Sequence, residues 1–290
     1  MALIPYNKPP KIHDDHIKEL NSRGLIIKDE KKANHLLEKI SYYRLSGYWY
    51  PMLKEPKSDH IFKPKSTLNN AFQLYCFDRE LRKLISNEVE KIEIAIRAKM
   101  INVLSLKHGA FWYCDNTLSK KQSKNVKSIE RFIDEYERTD EIFIREFKAK
   151  YSNPLPPCWM MFEISSFGSL SMLYDNLKAP SEKRIISNSF GLDEKTFASW
   201  LHSLVYVRNV CAHHSRLWNR YMTIAPKLPI SPANDWINIT ILPPINAGGL
   251  PQSVNNRLYI FLCMILYLIN SVNKRNRFKL KLFYLLRSYK

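Results

Sequence analysis

Glycine is scarce in this sequence, with 7 glycines against 16 prolines among 290 residues. The patterns GxGxxG and GxxxxGK(S/T) do not occur in it, which argues against the phosphate-binding loops of dinucleotide-binding and P-loop proteins. The five cysteines include no CxxC pair, so we expect reduced thiols and no disulfide framework. From these patterns we expect neither a cofactor nor a bound metal.

Long hydrophobic runs are absent as well. The longest run, at 258–269, has 12 residues, fewer than the roughly 20 that a membrane-spanning helix needs. The N-terminal residues MALIPYNKPPK lack the apolar core of a signal peptide. We therefore expect a soluble, cytoplasmic protein with no membrane partner, in which 258–269 forms a helix buried on most sides.

Acidic residues are too few to balance the basic ones. The sequence has 45 Lys and Arg against 27 Asp and Glu, a formal net charge of +18. Such a surplus favours polyanionic partners, and the release of counterions on binding makes nucleic acid the natural one. A solvated basic surface without a partner, or an anionic membrane surface, would also carry this charge.

The spacing of apolar residues predicts a mainly α fold. Between Asn69 and Leu106 they recur every three or four positions, which predicts a long amphipathic helix. Two shorter helices are predicted within residues 11–50, with Gly24 at a helix end and Asp29 as an N-cap.

Prolines and lysines in residues 51–67 predict an exposed connector, and the stretch YYRLSGYWY before it predicts an aromatic turn. We therefore place a domain boundary there. Residues 1–65 would form an N-terminal helical lobe with its connector, and residues 66–290 a helical domain with a basic C-terminal tail. A long proline-rich irregular segment is predicted at 223–252, before the last apolar helix.

The stretch VRNVCAHHSR, residues 207–216, places an arginine, an asparagine and two histidines at the end of a predicted helix. On a helical wheel drawn for residues 197–215, Arg208 lies in the middle of an apolar stripe. Asn209 and His213 share the adjoining face, and His214 points to the opposite flank. A buried arginine must be paired or must face a cleft or an interface, because burying it alone is costly. The stripe contains Phe197, Leu201, Leu204 and Cys211.

Four interpretations of this stretch are open. In a structural one, Arg208 pairs with a carboxylate such as Glu93 or Glu163. In a metal site, the two histidines would be ligands, although adjacent positions on a helix diverge by about 100°. In a hydrolase, Cys211 would be the nucleophile, but it lacks the strand–turn placement that such nucleophiles usually have.

The fourth interpretation is RNA cleavage without a metal ion. The ribose 2′-hydroxyl supplies the nucleophile, so the protein needs only proton transfer and charge stabilisation. Histidine titrates near neutrality and suits proton transfer. Arginine holds a phosphate with its fork of donors, and asparagine orients the histidine or donates to a phosphate oxygen.

The same residues carry a family resemblance. RNVCAH resembles the R-x4-H signature of the HEPN ribonuclease superfamily, and VYVRNVCAHHSRLWNR resembles the abortive-infection (Abi) phage-resistance family of the AbiD/AbiF type. Further stretches of that family occur in the same order along the chain: RGLIIKDE, YYRLSGYWYP, LYCFDRELRKLI, KIEIAIRAKM and FEISSFGSL.

The resemblance implies an HEPN-like helical bundle in which two motifs meet across a helix–helix interface. The chain has one motif, so the resemblance implies a homodimer with Arg208, Asn209 and His213 as catalytic residues. His214 and Arg216 match the motif as accessory residues. The implied function is a metal-independent endoribonuclease toxin that cuts single-stranded RNA during abortive infection, leaving 2′,3′-cyclic phosphates. The resemblance also implies a cognate antitoxin, such as a small noncoding RNA.

The alternative is a non-catalytic RNA-binding regulatory protein of phage defence. Under either function, Glu93 and Arg97 form an ordinary helix ion pair or an accessory pair beside the active cleft. Arg44, within the aromatic stretch, is a candidate RNA contact, since aromatic rings stack on unpaired bases. The basic tail supplies the other candidate RNA contacts, Lys274, Arg275, Arg277, Lys279 and Lys281.

Overall fold

The computed structural model describes residues 5–7, 9–237 and 255–289. These residues form α-helices joined by short 3-10 turns and isolated β-bridges, with no β-sheet among them, so the mainly α prediction is confirmed. The twelve helices of the described residues are α1 (His13–Ser22), α2 (Glu30–Ile40), α3 (Tyr42–Trp49), α4 (Leu68–His108), α5 (Gln122–Arg138), α6 (Ile142–Lys150), α7 (Cys158–Ile164), α8 (Phe167–Asn176), α9 (Pro180–Asn188), α10 (Glu194–Ala212), α11 (Leu258–Val272) and α12 (Phe278–Ser288).

The chain divides into two compact units. The first contains Met1–Leu81 together with Phe283–Lys290, and the second contains Arg82–Leu282. The sequence placed a boundary after residue 65, in the proline-rich connector. The division between the compact units comes later, inside α4.

Local sequence signals set the helix ends in the first unit. The Asp29 side chain accepts a hydrogen bond from the Lys32 N–H at 2.8 Å and so caps α2. Gly24 has φ +90° just after α1, a conformation that residues with a side chain rarely adopt. Both predicted positions are confirmed.

One prediction for the first unit was wrong, and another holds in part. The aromatic stretch forms helix α3 and not a turn, because the Ser41 hydroxyl caps its N-terminus and Tyr48 is buried with its hydroxyl donating to Asp78 at 2.7 Å. Most of residues 51–67 are exposed, as predicted for a connector. Leu53 and Phe62, however, pair in an isolated β-bridge and are both buried, so the segment is anchored to the core of the unit.

Helix α4 confirms the predicted long amphipathic helix. Every position of the predicted apolar stripe is buried, which fits the three-and-four spacing from which the helix was inferred. The buried stripe consists of Leu81, Ile85, Val89, Ile92, Ile96 and Met100.

In the second unit, α10 packs against α8, α9 and α11, and α5 packs against α7 and α8. Helix α11 is buried along most of its length, as predicted. The predicted irregular segment has no helix in residues 223–237, and its remainder, 238–252, lies outside the described residues. No helix of the described residues is long and apolar enough to cross a membrane.

A buried carboxylate joins the end of α4 to the start of α9. Burial alone would raise the pKa of Glu182, but hydrogen bonds from Lys107, from Ser181 and from its own backbone N–H lower it to about 2. Lys107 forms an ion pair with this carboxylate, and His108 Nε2 lies 3.4 Å from it. The ionised form of Glu182 therefore stabilises the fold.

We predict that Glu182→Gln lowers the free energy of unfolding at pH 7 by up to about 3 kcal/mol. Because the folded-state pKa of Glu182 is below the ordinary 4.5, its contribution is present above that value and is lost as the pH falls toward 2. Urea unfolding at several pH values should show wild type and variant converging on acidification. Glu146→Gln, an exposed residue of α6, is the control, and a deficit that does not change with pH would contradict the prediction.

Candidate active site

Helix α10 begins at a local cap and is held by its buried face. The Asp193 side chain accepts hydrogen bonds from the N–H groups of Lys195 and Thr196, both at 2.9 Å, and so caps the helix. The face that packs in the second unit contains Phe197, Trp200, Leu201, Leu204 and Val207, all 1% exposed or less.

Helix α10 ends at Ala212, within the motif. The helical wheel had assumed that the helix continues to Ser215. His213 is the C-cap residue, and His214 has φ 54°, in the left-handed region. The His214 N–H donates to the Cys211 carbonyl at 3.0 Å, and the Ser215 N–H donates to the Val210 carbonyl at 3.0 Å. This is the Schellman closure, usually built on glycine or asparagine. The predicted direction of His214 was therefore wrong, because the residue lies beyond the helix.

The structure brings the three catalytic candidates together on the surface of one chain. Arg208, Asn209 and His213 are all exposed, and Arg208 Nη1 donates to Asn209 Oδ1 at a long 3.4 Å. The His213 N–H donates to the Asn209 carbonyl at 2.9 Å. Arg208 shares a stripe with Leu201 and Leu204, which are buried, yet its long side chain keeps the charged end in solvent. Arg208 is thus not buried within the chain.

Glu93 and Arg97 of α4 lie beside this motif. Arg97 Nη2 is 3.0 Å from Glu93 Oε1 and donates to the Ser165 carbonyl at 3.1 Å, and both side chains are largely buried. Burial raises the pKa of Glu93, while the charges of Arg97 and Arg208 oppose that rise. The charge of Arg208 therefore favours the ionised form of Glu93, but the residue that forms the ion pair with Glu93 is Arg97.

The residues after α10 are fixed by hydrogen bonds. The Ser215 carbonyl accepts from Arg82 Nη1 at 3.4 Å, and the Arg216 carbonyl accepts from Arg220 Nη1 at 3.3 Å. Arg216 is half-buried, and Leu217 is fully buried. These contacts hold the accessory residues His214 and Arg216 in a defined turn at the end of the motif.

The candidate RNA contacts are on the surface. Arg44 is exposed on α3, in the first unit. The basic tail contains helix α12, which carries Lys279 and Lys281, and Lys281 Nζ is 3.5 Å from the buried carboxylate of Glu88. The exposed tail residues are Lys274, Arg275, Arg277, Lys279 and Lys281.

Two features of the site were missed at the level of sequence. The first is the closure at His214, for which the doubled histidine gave no warning. The second is a basic cleft between α5 and α10, whose residues come from segments far apart in the chain.

No three His, Cys, Asp or Glu side chains of the described residues are grouped as a metal site would require.

Comparison with known protein families matches residues 35–219 to the family described as Abi-like protein. The match covers more than half of the chain and includes both the long helix α4 and the motif at the end of α10. The chain belongs to the Abi-like protein family, and this membership indicates a role in abortive infection, the defence of bacteria against phage. Comparisons with curated proteins and with solved structures gave no match.

We predict that Arg97→Leu lowers the free energy of unfolding at pH 8 by about 2–4 kcal/mol, because it leaves the Glu93 carboxylate buried without its partner. Losing Arg97 raises the pKa of Glu93 further, and the stability of such a carboxylate is lost as the pH rises through that pKa. The deficit should therefore shrink at pH 5, as measured by urea unfolding.

The double variant Arg97→Leu/Glu93→Gln provides the control. It carries no buried charge at this position, so it should recover much of the lost stability at pH 8. An equal deficit at pH 5 and pH 8, or no recovery in the double variant, would mean that the Glu93 charge is not the cause.

Proposed function

We propose that this protein is a metal-independent endoribonuclease of abortive infection that cuts single-stranded RNA at the motif ending α10. The observation that carries the proposal is the grouping of Arg208, Asn209 and His213 on the surface of one helix end. Membership in the Abi-like family supports the biological setting.

The proposed reaction is an internal transfer of the phosphoryl group. The ribose 2′-oxygen attacks the adjacent phosphorus, forming the P–O2′ bond while the P–O5′ bond breaks. His213 takes the proton of the 2′-hydroxyl, and an acid returns one to the departing 5′-oxygen. Arg208 stabilises the charge on the phosphoryl oxygens with its fork of donors. The products are a 2′,3′-cyclic phosphate and a 5′-hydroxyl, so no water and no cofactor is consumed.

The acid in this reaction would come from a second copy of the chain. One motif contributes one His213, whereas the reaction needs a base and an acid at the same time. Arg208, Asn209 and His213 are all exposed at the C-terminal end of α10, so a second chain packed against this helix end would cover Arg208 and bring a second His213 close. We propose a homodimer with a composite site.

Control of the toxin is part of the proposal. A cell that makes this nuclease must hold it inactive before infection, and a cognate antitoxin such as a small noncoding RNA would do so. The net charge of +18 favours an RNA inhibitor for the same electrostatic reason that it favours an RNA substrate.

We predict that wild-type protein cuts single-stranded RNA in EDTA and that His213→Ala lowers the rate by about 10²–10⁴-fold, the usual contribution of a general acid–base group. Gel analysis of labelled RNA and identification of the 2′,3′-cyclic phosphate ends measure this. His35→Ala, at an exposed histidine of α2, is the matched control. Tight binding of RNA that stays intact in EDTA would favour the non-catalytic RNA-binding protein instead.

The composite site makes a separate prediction about assembly. Sedimentation should give a mass of twice the 34.3 kDa chain, and an excess of His213→Ala protein should suppress wild-type activity by forming mixed dimers. A strict monomer with full activity at micromolar concentration would contradict the shared site and leave the cleavage chemistry to a single chain.

A further inference from the structure

A strongly basic cleft lies in the second unit, apart from the motif. It has a volume of about 610 Å³ and is bounded by α5, α8, α9 and α10. Seven lysine or arginine side chains line it, against the two acidic residues Asp175 and Glu194. We call it the lysine cleft. The seven basic residues are Lys120, Lys124, Lys127, Arg131, Lys183, Lys195 and Lys227.

Two ammonium groups of the lysine cleft converge on a single oxygen. Lys120 Nζ and Lys183 Nζ donate to the Asp175 carbonyl at 3.1 and 3.2 Å. Lys183 is 4% exposed, and its pKa is lowered to about 8, first by burial and then by Lys120. A fixed pair of like charges at the wall of an open cleft is unfavourable, and a bound anion would relieve it.

Other charges of the lysine cleft remain unneutralised. Asp175 forms an ion pair with Lys124 at 3.2 Å, and Glu194 forms one with Arg184 at 3.5 Å. Both acidic residues of the cleft are thus already engaged. Within the described chain, no carboxylate lies within 4 Å of the ammonium groups of three further lining residues, Lys127, Lys195 and Lys227.

The lysine cleft and the motif share one exposed face of α10. Lys195, His202 and Asn209 are seven residues apart, so each is rotated by only about 20° from the one before. His213 returns to the same direction after four more positions, and all four side chains are exposed. From His202 to His213 the face is about 16 Å long. One phosphate group cannot contact both ends, whereas a strand with a phosphate at every nucleotide can.

We propose that the lysine cleft binds the sugar-phosphate backbone of a single RNA strand and guides it along α10 to the motif. This inference rests on the proposed function, since it assigns the path of the same substrate. The basic groups of the lysine cleft come from three helices, α5, α9 and α10, and from two positions outside helices, Lys120 and Lys227. The cleft is also lined by the apolar or small side chains Met172 and Ala198. Such a groove tracks a backbone without reading its sequence.

The test removes two exposed charges that have no acidic partner. Lys127→Gln/Lys195→Gln is made in the full-length His213→Ala protein, so that RNA is not cut during the measurement. Fluorescence anisotropy with a labelled 12-nucleotide single-stranded RNA should show at least about 10-fold weaker binding at 100 mM salt. The slope of log affinity against log salt should fall by about 1.4, since each lost phosphate contact removes about 0.7.

Arg145→Gln/Lys150→Gln on α6 is the matched control, because it removes the same charge from exposed positions outside the cleft. It should leave the salt slope unchanged. Equal affinities of the cleft variant and this control would overturn the proposal. Displacement of the RNA by micromolar adenosine monophosphate would overturn it too, since the cleft would then be a pocket for one nucleotide.

The failure of this inference is distinguishable from failure of the proposed function. Wild-type cleavage in EDTA is measured separately. If RNA is cut but the cleft variant binds like the control, the cleft proposal fails and the nuclease stands. If RNA is not cut but the cleft variant binds weakly, the cleft stands as a binding surface and the nuclease fails.

Discussion

The rotation of α10 about its axis is the constraint on which the candidate site depends. One face of this helix buries Phe197, Trp200, Leu201, Leu204 and Val207, and each fully buried side chain of this kind contributes about 1.5–3 kcal/mol. Turning the helix would lose most of that free energy, whereas an exposed ion pair contributes about 1 kcal/mol at most. Apolar packing therefore decides which polar residues of α10 reach the surface.

That rotation links the motif to the rest of the second unit. It directs Asn209 and His213 outward, on the same face as the lysine cleft, and it keeps Arg208 close enough to α4 for its charge to act on Glu93. The left-handed residue His214 then stops the helix. A non-glycine residue in this conformation costs of order 1 kcal/mol or more. The surrounding contacts must supply that free energy, and the sharp turn is what leaves His213 at an exposed helix end.

Sequence patterns predicted the features that depend on neighbouring residues. The stripe of α4 and the cap at Asp29 follow from spacing and side-chain chemistry within a few positions. Features that depend on residues far apart in the sequence were not predicted. The segment 51–67 has the composition of a connector, but Leu53 and Phe62 pair across it and are buried. The lysine cleft draws on residues from 120 to 227, and no local pattern brings those lysines together.

Arg208 is exposed although the helical positions one and two turns before it are buried. The helical wheel places it on a buried stripe, and the chain leaves it in solvent. Both statements hold within one chain, because the apolar residues of the stripe are buried in the second unit while the long side chain of Arg208 reaches solvent near the helix end. A dimer that joins two such helix ends would bring two guanidinium groups together and desolvate them. That arrangement is costly unless an anion lies between them. The phosphate of a bound RNA strand is such an anion, so assembly and substrate binding would favour each other.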